Sequence, residues 1–416
     1  MVNKLKIVFV GHVDHGKSTL VGRLFYDAKL IPDDKIQDMK AKNGESSIID
    51  YAFLTDHFKE ERYQGITIDT SQIFFKYKNK EYVFIDAPGH VEFITNMITG
   101  AAQADIAVLI IDANEGIQEQ TKRHAYILSL LGIKKIILVI NKMDLVDYSE
   151  KHFKNAIDSV VPFLKQIDIT DYSAVPVSAL FGDNIITKSN NMLWYDGKTL
   201  IDIFENIESN IYNKNNDVIF PVQDVYITKP NSHLYRTIVG RIELGKIRIN
   251  QQIYVLPSVE SANIKSIKKY NKSIEKASAG ECIGLIIDRP LFIERGNIIS
   301  SKINGQIITN SFKATIFWFS STPGKTKEKI TLKCSTQETY CYINNIKKKI
   351  NSSTLEFIHT KKEHINRLEV CEVEIITKIP LALNTTLEND ILSRIVLIKD
   401  SNIIAGGIIT KIYKGE

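Results

Sequence analysis

The sequence GHVDHGKS (residues 11–18) decides the fold, because it fits the phosphate-binding pattern G-x-x-x-x-G-K-[ST]. The apolar run KIVFVG (6–11) leads into it and predicts a strand, and a helical pattern (17–26) follows. The glycines let the backbone turn so that its N–H groups face phosphate oxygens, and the start of a helix favours negative charge. We therefore predict phosphate contacts from Asp14, His15, Gly16, Lys17, Ser18 and Thr19.

Lysine and serine at the end of this pattern have separate expected tasks. Lys17 would reach the β- and γ-phosphates of a nucleotide, and the Ser18 hydroxyl would bind Mg²⁺. The pattern by itself does not distinguish ATP from GTP.

The sequence NKMD (141–144) supplies that distinction. It follows the apolar run KIILVIN (135–141), which predicts a buried strand. The Asp144 carboxylate can accept two hydrogen bonds from guanine, from N1–H and from the 2-amino group, and adenine offers no such pair. A missing hydrogen-bond partner in a buried polar site discriminates by about 10⁴-fold or more. Together with SAL (178–180), NKMD predicts a guanine site.

Two further motifs lie between these landmarks. GITID (65–69) carries Thr67, and DAPGH (86–90) carries Asp86, Gly89 and His90 at the end of another apolar run. A polar side chain beside such a glycine is placed to orient the attacking water in GTP hydrolysis. Val13 and Ile66 are candidates for an apolar gate around His90.

The first half of the chain alternates short apolar strands with helical patterns, which is typical of a doubly wound, mostly parallel α/β sheet. Predicted strands cover 6–11, 82–89, 106–113, 135–141 and 174–179, and predicted helices cover 17–26, 91–101 and 121–131. After residue 212 short strands and frequent turns replace the helical patterns and indicate β-barrels. We predict a GTP-binding domain over residues 1–212, followed by β-barrel domains over 213–303 and 304–416.

Charge is distributed unevenly between the two halves. Residues 1–216 carry a net charge of −5, whereas residues 217–416 carry +10. The basic half suggests an anionic partner, either nucleic acid or an acidic protein. Solvated lysines such as Lys347, Lys348 and Lys349 account for the same charge equally well.

Cysteine usage and hydropathy indicate the compartment. The four cysteines form no CxxC pair, so they predict neither a disulfide framework nor a metal set. No apolar run approaches the ~20 residues of a membrane helix, and the N-terminal apolar stretch ends in the glycine loop rather than in a signal-peptide pattern. We expect a cytoplasmic protein without membrane contact.

The four motifs and the two β-rich units behind them resemble the translation-factor class of GTPases over the whole chain. The resemblance implies GTP and Mg²⁺ as ligands. It implies that Asp86 holds Mg²⁺ through water, that Thr67 completes the metal shell, and that the Gly89 N–H senses the γ-phosphate. It further implies that His90 orients the attacking water. For the base, it implies that Asn141 braces the loops, that Lys142 lies along the ring, and that the guanine oxygen is bound by the loop of Ser178, Ala179 and Leu180.

Two members of this class compete. The first is an elongation factor that delivers aminoacyl-tRNA to the ribosome. The second is the GTPase subunit of two-subunit sulfate adenylyltransferase, which resembles this chain in FKEERYQGITID (58–69) and NKMDLVDYSE (141–150). Elongation factors of archaea and eukaryotes carry near relatives of both segments. His15 departs from the sulfate adenylyltransferase subunits, because many of them carry an acidic residue at the position of His15.

The second half favours the sulfate adenylyltransferase subunit. PVQDVYITKPN (221–231) and ASAGECIGLIIDRPLFIERGNIIS (277–300) are similar to its second domain, and FKATIFWFSSTPGKTKEKITLK (312–333) is similar to the opening of its last. This resemblance implies that ATP and sulfate react on a separate small catalytic ATP-binding subunit, and that GTP hydrolysis drives this uphill reaction. The sequence shows no site for ATP and sulfate of its own.

Overall fold

The computed structural model describes the chain in eleven ranges: 4–31, 51, 71–87, 94–101, 104–207, 217–228, 235–270, 272–303, 307–359, 363–385 and 391–413. The chain divides into two compact units, residues 1–209 and 210–416. No helix within these ranges combines the length and the apolar character needed to cross a membrane.

The first unit is built on a six-stranded sheet in the order β2-β3-β1-β4-β5-β6. Its strands are β1 (Lys4–Gly11), β2 (Ser71–Tyr77), β3 (Lys80–Asp86), β4 (Ile106–Asp112), β5 (Lys135–Asn141) and β6 (Asp171–Pro176). Strand β2 runs antiparallel to β3, and the other neighbouring pairs are parallel. The predicted mostly parallel sheet is therefore confirmed, with β2 as an edge strand that the apolar runs did not predict.

Five α-helices of the first unit are described: α1 (Lys17–Asp27), α2 (Ile94–Ala101), α3 (Glu119–Leu130), α4 (Glu150–Gln166) and α5 (Leu200–Asn206). All seven residues of β4 are buried, as expected of a central strand with helices over both of its faces. One large apolar cluster joins α1 and α5 to the sheet through residues such as Phe9, Leu24, Phe84 and Phe204. This core fixes the carboxyl ends of β1, β3, β4 and β5, from which the candidate site is built.

The second unit begins with a barrel of short antiparallel strands. Its strands are β7 (Ile219–Thr228), β8 (Tyr235–Arg241), β9 (Lys246–Arg248), β10 (Gln252–Leu256), β11 (Glu260–Lys269), β12 (Lys272–Ile274), β13 (Lys276–Ser278), β14 (Cys282–Ile287) and β15 (Ile298–Ser300). The order β10-β15-β7-β8-β14-β11 closes because β11 also pairs with β10. The core residues that the structure describes in this barrel are aliphatic apart from Phe220.

The last strands form a second closed barrel, in the order β16-β21-β19-β18-β22-β23. They are β16 (Ile307–Trp318), β17 (Gly324–Lys325), β18 (Ile330–Cys334), β19 (Gln337–Asn351), β20 (His364–Ile365), β21 (Glu369–Leu383), β22 (Arg394–Lys399) and β23 (Asn402–Ile412), with β17 and β20 paired separately. The predicted fold class, an α/β domain followed by two β-barrels, is confirmed. The boundaries at 212 and 303 remain predictions, since residues 208–216 and 304–306 lie outside the described ranges.

Candidate nucleotide-binding site

The phosphate-binding loop joins the end of β1 to the start of α1, as predicted from its sequence. Gly16 precedes the helix in the left-handed region, with φ of 85°, and its carbonyl accepts from the Leu20 N–H at 2.9 Å. A Cβ added to Gly16 would lie 2.5 Å from Nδ2 of Asn141. Only glycine satisfies both the backbone conformation and this close approach. Asp14 is exposed on the same loop, also with positive φ.

Lys17 is buried beneath this loop, with only 7% of the residue exposed. Its Nζ donates to the carbonyl oxygens of Gly11, at 3.2 Å, and His12, at 2.8 Å. Burial lowers the pKa of Lys17 to about 8, against the opposing effect of the Asp86 and Asp14 carboxylates. A buried ammonium held by carbonyls is suited to an anionic ligand, because a phosphate restores the favourable interactions that burial removes.

Oxygen groups suited to Mg²⁺ lie around this lysine. Ser18 and Thr19 are half-buried in the first turn of α1, and Asp86 is almost completely buried at the end of β3. A hydroxyl and a carboxylate that acts through water are the oxygen donors that Mg²⁺ prefers beside nucleotide phosphates. The chemistry of these residues therefore fits the ion. Three predicted site residues, Thr67, Gly89 and His90, lie outside the described residues, as does Ile66 of the suggested gate.

Asn141 connects two loops of the candidate site. Its Nδ2 donates to the carbonyl of His15 at 2.8 Å, and its Oδ1 accepts from the N–H of Ala179 at 3.0 Å. The side chain is 1% exposed, so both hydrogen bonds form away from solvent. Asn141 thus holds the phosphate loop and the segment 178–180 at a fixed separation.

Lys142 follows in the left-handed region, with φ of 60°, and its Nζ lies 2.8 Å from Oδ2 of Asp112. Asp112 ends β4, and its Oδ1 accepts from the N–H groups of Asn114 and Glu115. Burial acts to raise the pKa of Asp112, but the hydrogen bonds from Lys142 and these N–H groups outweigh it and lower the pKa. The ionised carboxylate holds the Lys142 side chain in place.

Asp144 is half-buried and faces the segment 178–180. Its Oδ1 accepts from the Ser178 hydroxyl at 2.5 Å, and the Ser178 Oγ accepts from the Phe181 N–H at 3.3 Å. The carbonyl of Leu180 accepts from Nη1 of Arg23, on α1, at 2.6 Å. One carboxylate oxygen of Asp144 is therefore oriented by protein, and the structure brings Asn141, Lys142, Asp144 and segment 178–180 together.

The side chain of His15 is directed into the protein. It is fully buried, with Nε2 3.3 Å from Oε2 of Glu115. Its Nδ1 lies 3.3 Å from both the Ile110 carbonyl oxygen and the main-chain nitrogen of Asp112. Burial is the largest effect on the pKa of His15 and lowers it, against the opposing effects of the Ile110 carbonyl and the Glu115 carboxylate. A contact between His15 and a nucleotide therefore remains a prediction for its main chain.

Three residues near the site are not part of any sequence motif: Arg23, Asp112 and His124. His124 is 1% exposed on α3, and burial, together with the charge of Lys17, lowers its pKa to about 3. The position of Asp112 at the carboxyl end of a buried strand was an available signal, since ligand sites lie at that edge of a parallel sheet. No sequence pattern pointed to Arg23 and His124, because the packing of their helices brings them close to the site.

Comparison with known proteins covers both units of the chain. The family model of the elongation factor Tu GTP binding domain matches residues 3–228, more than half of the chain, and the GTP-eEF1A C-terminal domain-like model matches residues 311–410. Sulfate adenylyltransferase subunit 1 of Alteromonas mediterranea is 35% identical over 374 residues, which cover 89% of this chain and 79% of that protein. The chain belongs to the sulfate adenylyltransferase subunit 1 family.

Other members of the sulfate adenylyltransferase subunit 1 family match over similar lengths. The subunit of Bacteroides fragilis is 33% identical over 398 residues, covering 95% of this chain and 83% of that protein. The subunit of Saccharophagus degradans is 34% identical over 373 residues, covering 89% of this chain and 79% of that protein. The predicted resemblance is confirmed. The last barrel alone does not distinguish this family from elongation factors, because the model that matches it carries the name of an elongation factor. The relatives whose similarity spans both halves of the chain make that distinction.

Proposed function

We propose that this chain is the GTP-hydrolysing subunit of a sulfate adenylyltransferase. Its hydrolysis of GTP to GDP and phosphate is coupled to the formation of adenylyl sulfate and pyrophosphate from ATP and sulfate. That second reaction takes place on a small catalytic ATP-binding subunit. The observation that carries this proposal is similarity to sulfate adenylyltransferase subunit 1 that extends through both units.

The arrangement of residues in the first unit supports GTP as the nucleotide. Asp144, oriented by Ser178, keeps acceptor capacity for guanine, and Lys17 supplies the charge for the phosphates. Ser18 and Thr67 would hold Mg²⁺ together with the phosphates, and Asp86 would reach it through water. The bound ion would neutralise charge that develops on the phosphate oxygens.

His90 is the proposed catalytic residue of hydrolysis. Its position in DAPGH, one residue after Gly89, supports a role in orienting the attacking water. Such a contact acts mainly in the transition state, so its loss lowers turnover more than nucleotide binding. The cytoplasm is the compartment we propose, since ATP, GTP and the reduced thiols expected from the cysteine pattern occur there together.

Reconstitution with the catalytic subunit of the same organism tests the function. The chain alone should hydrolyse GTP slowly and make no adenylyl sulfate. With the partner, ATP and sulfate, it should form adenylyl sulfate while consuming GTP in proportion. His90→Ala should lower both rates about 10²-fold or more at nearly unchanged GTP affinity. His152→Ala, on the exposed face of α4, is the matched control and should leave both rates unchanged.

Ribosomes with charged tRNA provide the opposing arm of the same experiment. GTP hydrolysis stimulated by ribosomes, and not by partner with ATP and sulfate, would establish an elongation factor instead. Binding of tRNA through phosphates would then fall steeply with salt, with a log–log slope near −1 for each contact. Normal coupled turnover by His90→Ala would reject only the water-orienting role.

A further inference from the structure

The first barrel contains a cavity of about 540 Å³ that the nucleotide site does not use. Among the residues that the structure describes, it lies between strands β7, β8, β11 and β14 and the segment 288–293. We call it the barrel pocket. Its size falls within the range of sites that accept a small ligand or a few side chains of a peptide.

The floor of the barrel pocket is aliphatic. Ile238 and Ile293 line it and are 2% and 3% exposed, because they also belong to the barrel core. Ile227 lines the rim and leaves 61% of its surface exposed. Covering this rim with an apolar side chain would remove apolar surface from water, which favours binding.

Positive charge surrounds this floor. Arg236, Lys265 and Arg289 line the barrel pocket, and Asp288 is the single carboxylate among the lining residues that the structure describes. Asp288 accepts from the main-chain N–H of Asn263 at 2.9 Å and from Nδ2 of Asn263 at 2.8 Å. Those hydrogen bonds are the main reason why the pKa of Asp288 is lowered.

The cations of the rim are only weakly engaged by the protein. Nη1 of Arg236 donates to the Leu291 carbonyl at 3.3 Å, and Nε of Arg289 lies 3.9 Å from Asp288. Within the described ranges, Lys265 forms no ion pair with a carboxylate. The pocket therefore presents a positive field over an apolar floor, within a half of the chain whose net charge is +10.

The lining favours a peptide over a nucleic acid. None of the twelve described lining side chains is aromatic, whereas single-stranded bases are held mainly by stacking on aromatic rings. The combination present here instead complements a large apolar side chain flanked by carboxylates. Such anchors in desolvated pockets, with charges at the rim, are typical of protein interfaces.

We propose that the barrel pocket docks an acidic segment of the catalytic subunit. One large apolar side chain of that segment enters the cavity beside Ile227, and neighbouring carboxylates face Arg236, Lys265 and Arg289. This proposal rests on the proposed function, because it names the surface through which that function reaches its partner.

Two substitutions on adjacent residues test the proposal. Ile227→Glu places a carboxylate on the rim, whereas Tyr226→Glu changes a residue that is 55% exposed on the same strand but does not line the pocket. Calorimetric titration with the catalytic subunit should show affinity about 10-fold or more weaker for Ile227→Glu and unchanged for Tyr226→Glu. Both side chains are already exposed, and equal thermal unfolding and GTP affinity would show that both variants are folded.

A third variant tests whether the positive charge at the rim of the barrel pocket attracts the catalytic subunit. Lys265→Glu should slow association with the catalytic subunit and weaken its dependence on salt, since rim charges act mainly on encounter. An association rate equal to that of the unmodified chain would contradict an acidic occupant.

The outcomes separate the pocket from the function. If Ile227→Glu binds the catalytic subunit as tightly as the unmodified chain, the pocket proposal is overturned and the proposed function stands. If the unmodified chain neither binds that subunit nor supports adenylyl sulfate formation, the proposed function fails and the pocket proposal fails with it. If total tRNA binds and Ile227→Glu weakens that binding, the occupant is nucleic acid and the peptide proposal is wrong.

Discussion

At the residue scale, the surroundings of Lys17 suit the anionic ligand that we propose for it. Its ammonium group is enclosed by the phosphate loop and held by two carbonyl oxygens, and burial lowers its pKa to about 8. A nucleotide phosphate placed beside it favours the charged form and raises that pKa again. Binding of the nucleotide is therefore linked to the protonation of this lysine.

We expect GTP binding to take up protons near pH 8. At a pH equal to the pKa of the free chain, half of the Lys17 side chains are neutral, so uptake approaches roughly half a proton per nucleotide. Uptake by Lys17 should decrease as the pH falls below about 8, where the lysine is already charged, and affinity should decrease as the pH rises above about 8. Calorimetry in two buffers of different ionisation enthalpy measures the uptake. Lys17→Met is the control, and equal uptake by this variant would assign the proton to another group.

At the scale of elements, the proposed guanine site consists of two loops joined by side chains. Asn141 ties the segment 178–180 to the phosphate loop, and Ser178 orients Asp144 from the opposite loop. Arg23 adds a bond from α1 to Leu180. These contacts join strands β1, β5 and β6, so the base and phosphate ends of the site are rigidly related.

Asp144→Asn should remove the preference for guanine. An amide still accepts from the Ser178 hydroxyl, so the loop keeps its shape, but it cannot accept both hydrogen bonds from the base. We expect GTP affinity to fall about 10²-fold and xanthosine triphosphate, which accepts where guanine donates, to bind better than GTP. Competition among GTP, xanthosine triphosphate and ATP measures this. Asp147→Asn, an exposed position three residues on, is the matched control. Unchanged selectivity in Asp144→Asn would exclude Asp144 from the site.

At the scale of the molecule, the two barrels of residues 210–416 share an apolar cluster. Ile219, Leu256 and Ile298 come from the first barrel. Ala382 lies on β21 of the second barrel, and Leu392 lies just before β22. All five are buried, with exposed fractions of 2% or less. Main-chain groups of Ala382 are also bonded to the Gln337 amide, at 2.8 and 2.9 Å. The shared cluster makes one compact unit of two closed sheets.

Ala382→Glu should separate the unfolding of the two barrels. The carboxylate would lie in the shared cluster, and burying an unpaired charge lowers the free energy of unfolding by roughly 2–4 kcal/mol. Hydrogen exchange of the full chain, followed by mass spectrometry, should show β7 and β16 opening together in the unmodified protein and at different rates in the variant. Ile379→Glu, on the same strand at a residue that is 49% exposed, should change neither. Common exchange rates in Ala382→Glu would mean that the cluster does not couple the barrels.

The sequence by itself determined the loop between β1 and α1, the parallel sheet and the presence of barrels, and it predicts the base-reading motif. Each depends on local rules. The left-handed backbone at residue 16 requires glycine, and a continuously apolar strand such as β4 requires other elements packed on both of its faces. The edge strand β2 was not predicted, because its pattern is partly polar. The roles of Thr67, Gly89 and His90 came from motifs alone and remain predictions.

Tertiary structure alone decided how distant residues are paired. His15 meets Glu115 one hundred residues away, Arg23 meets Leu180, and Lys142 meets Asp112. Closure of the first barrel by β10 with β11, and the pocket in its wall, likewise depend on register between strands. Local patterns state which residues are buried or charged. They do not state which of many similar aliphatic strands, lysines and carboxylates become neighbours, because that choice is made by the packing of the whole chain.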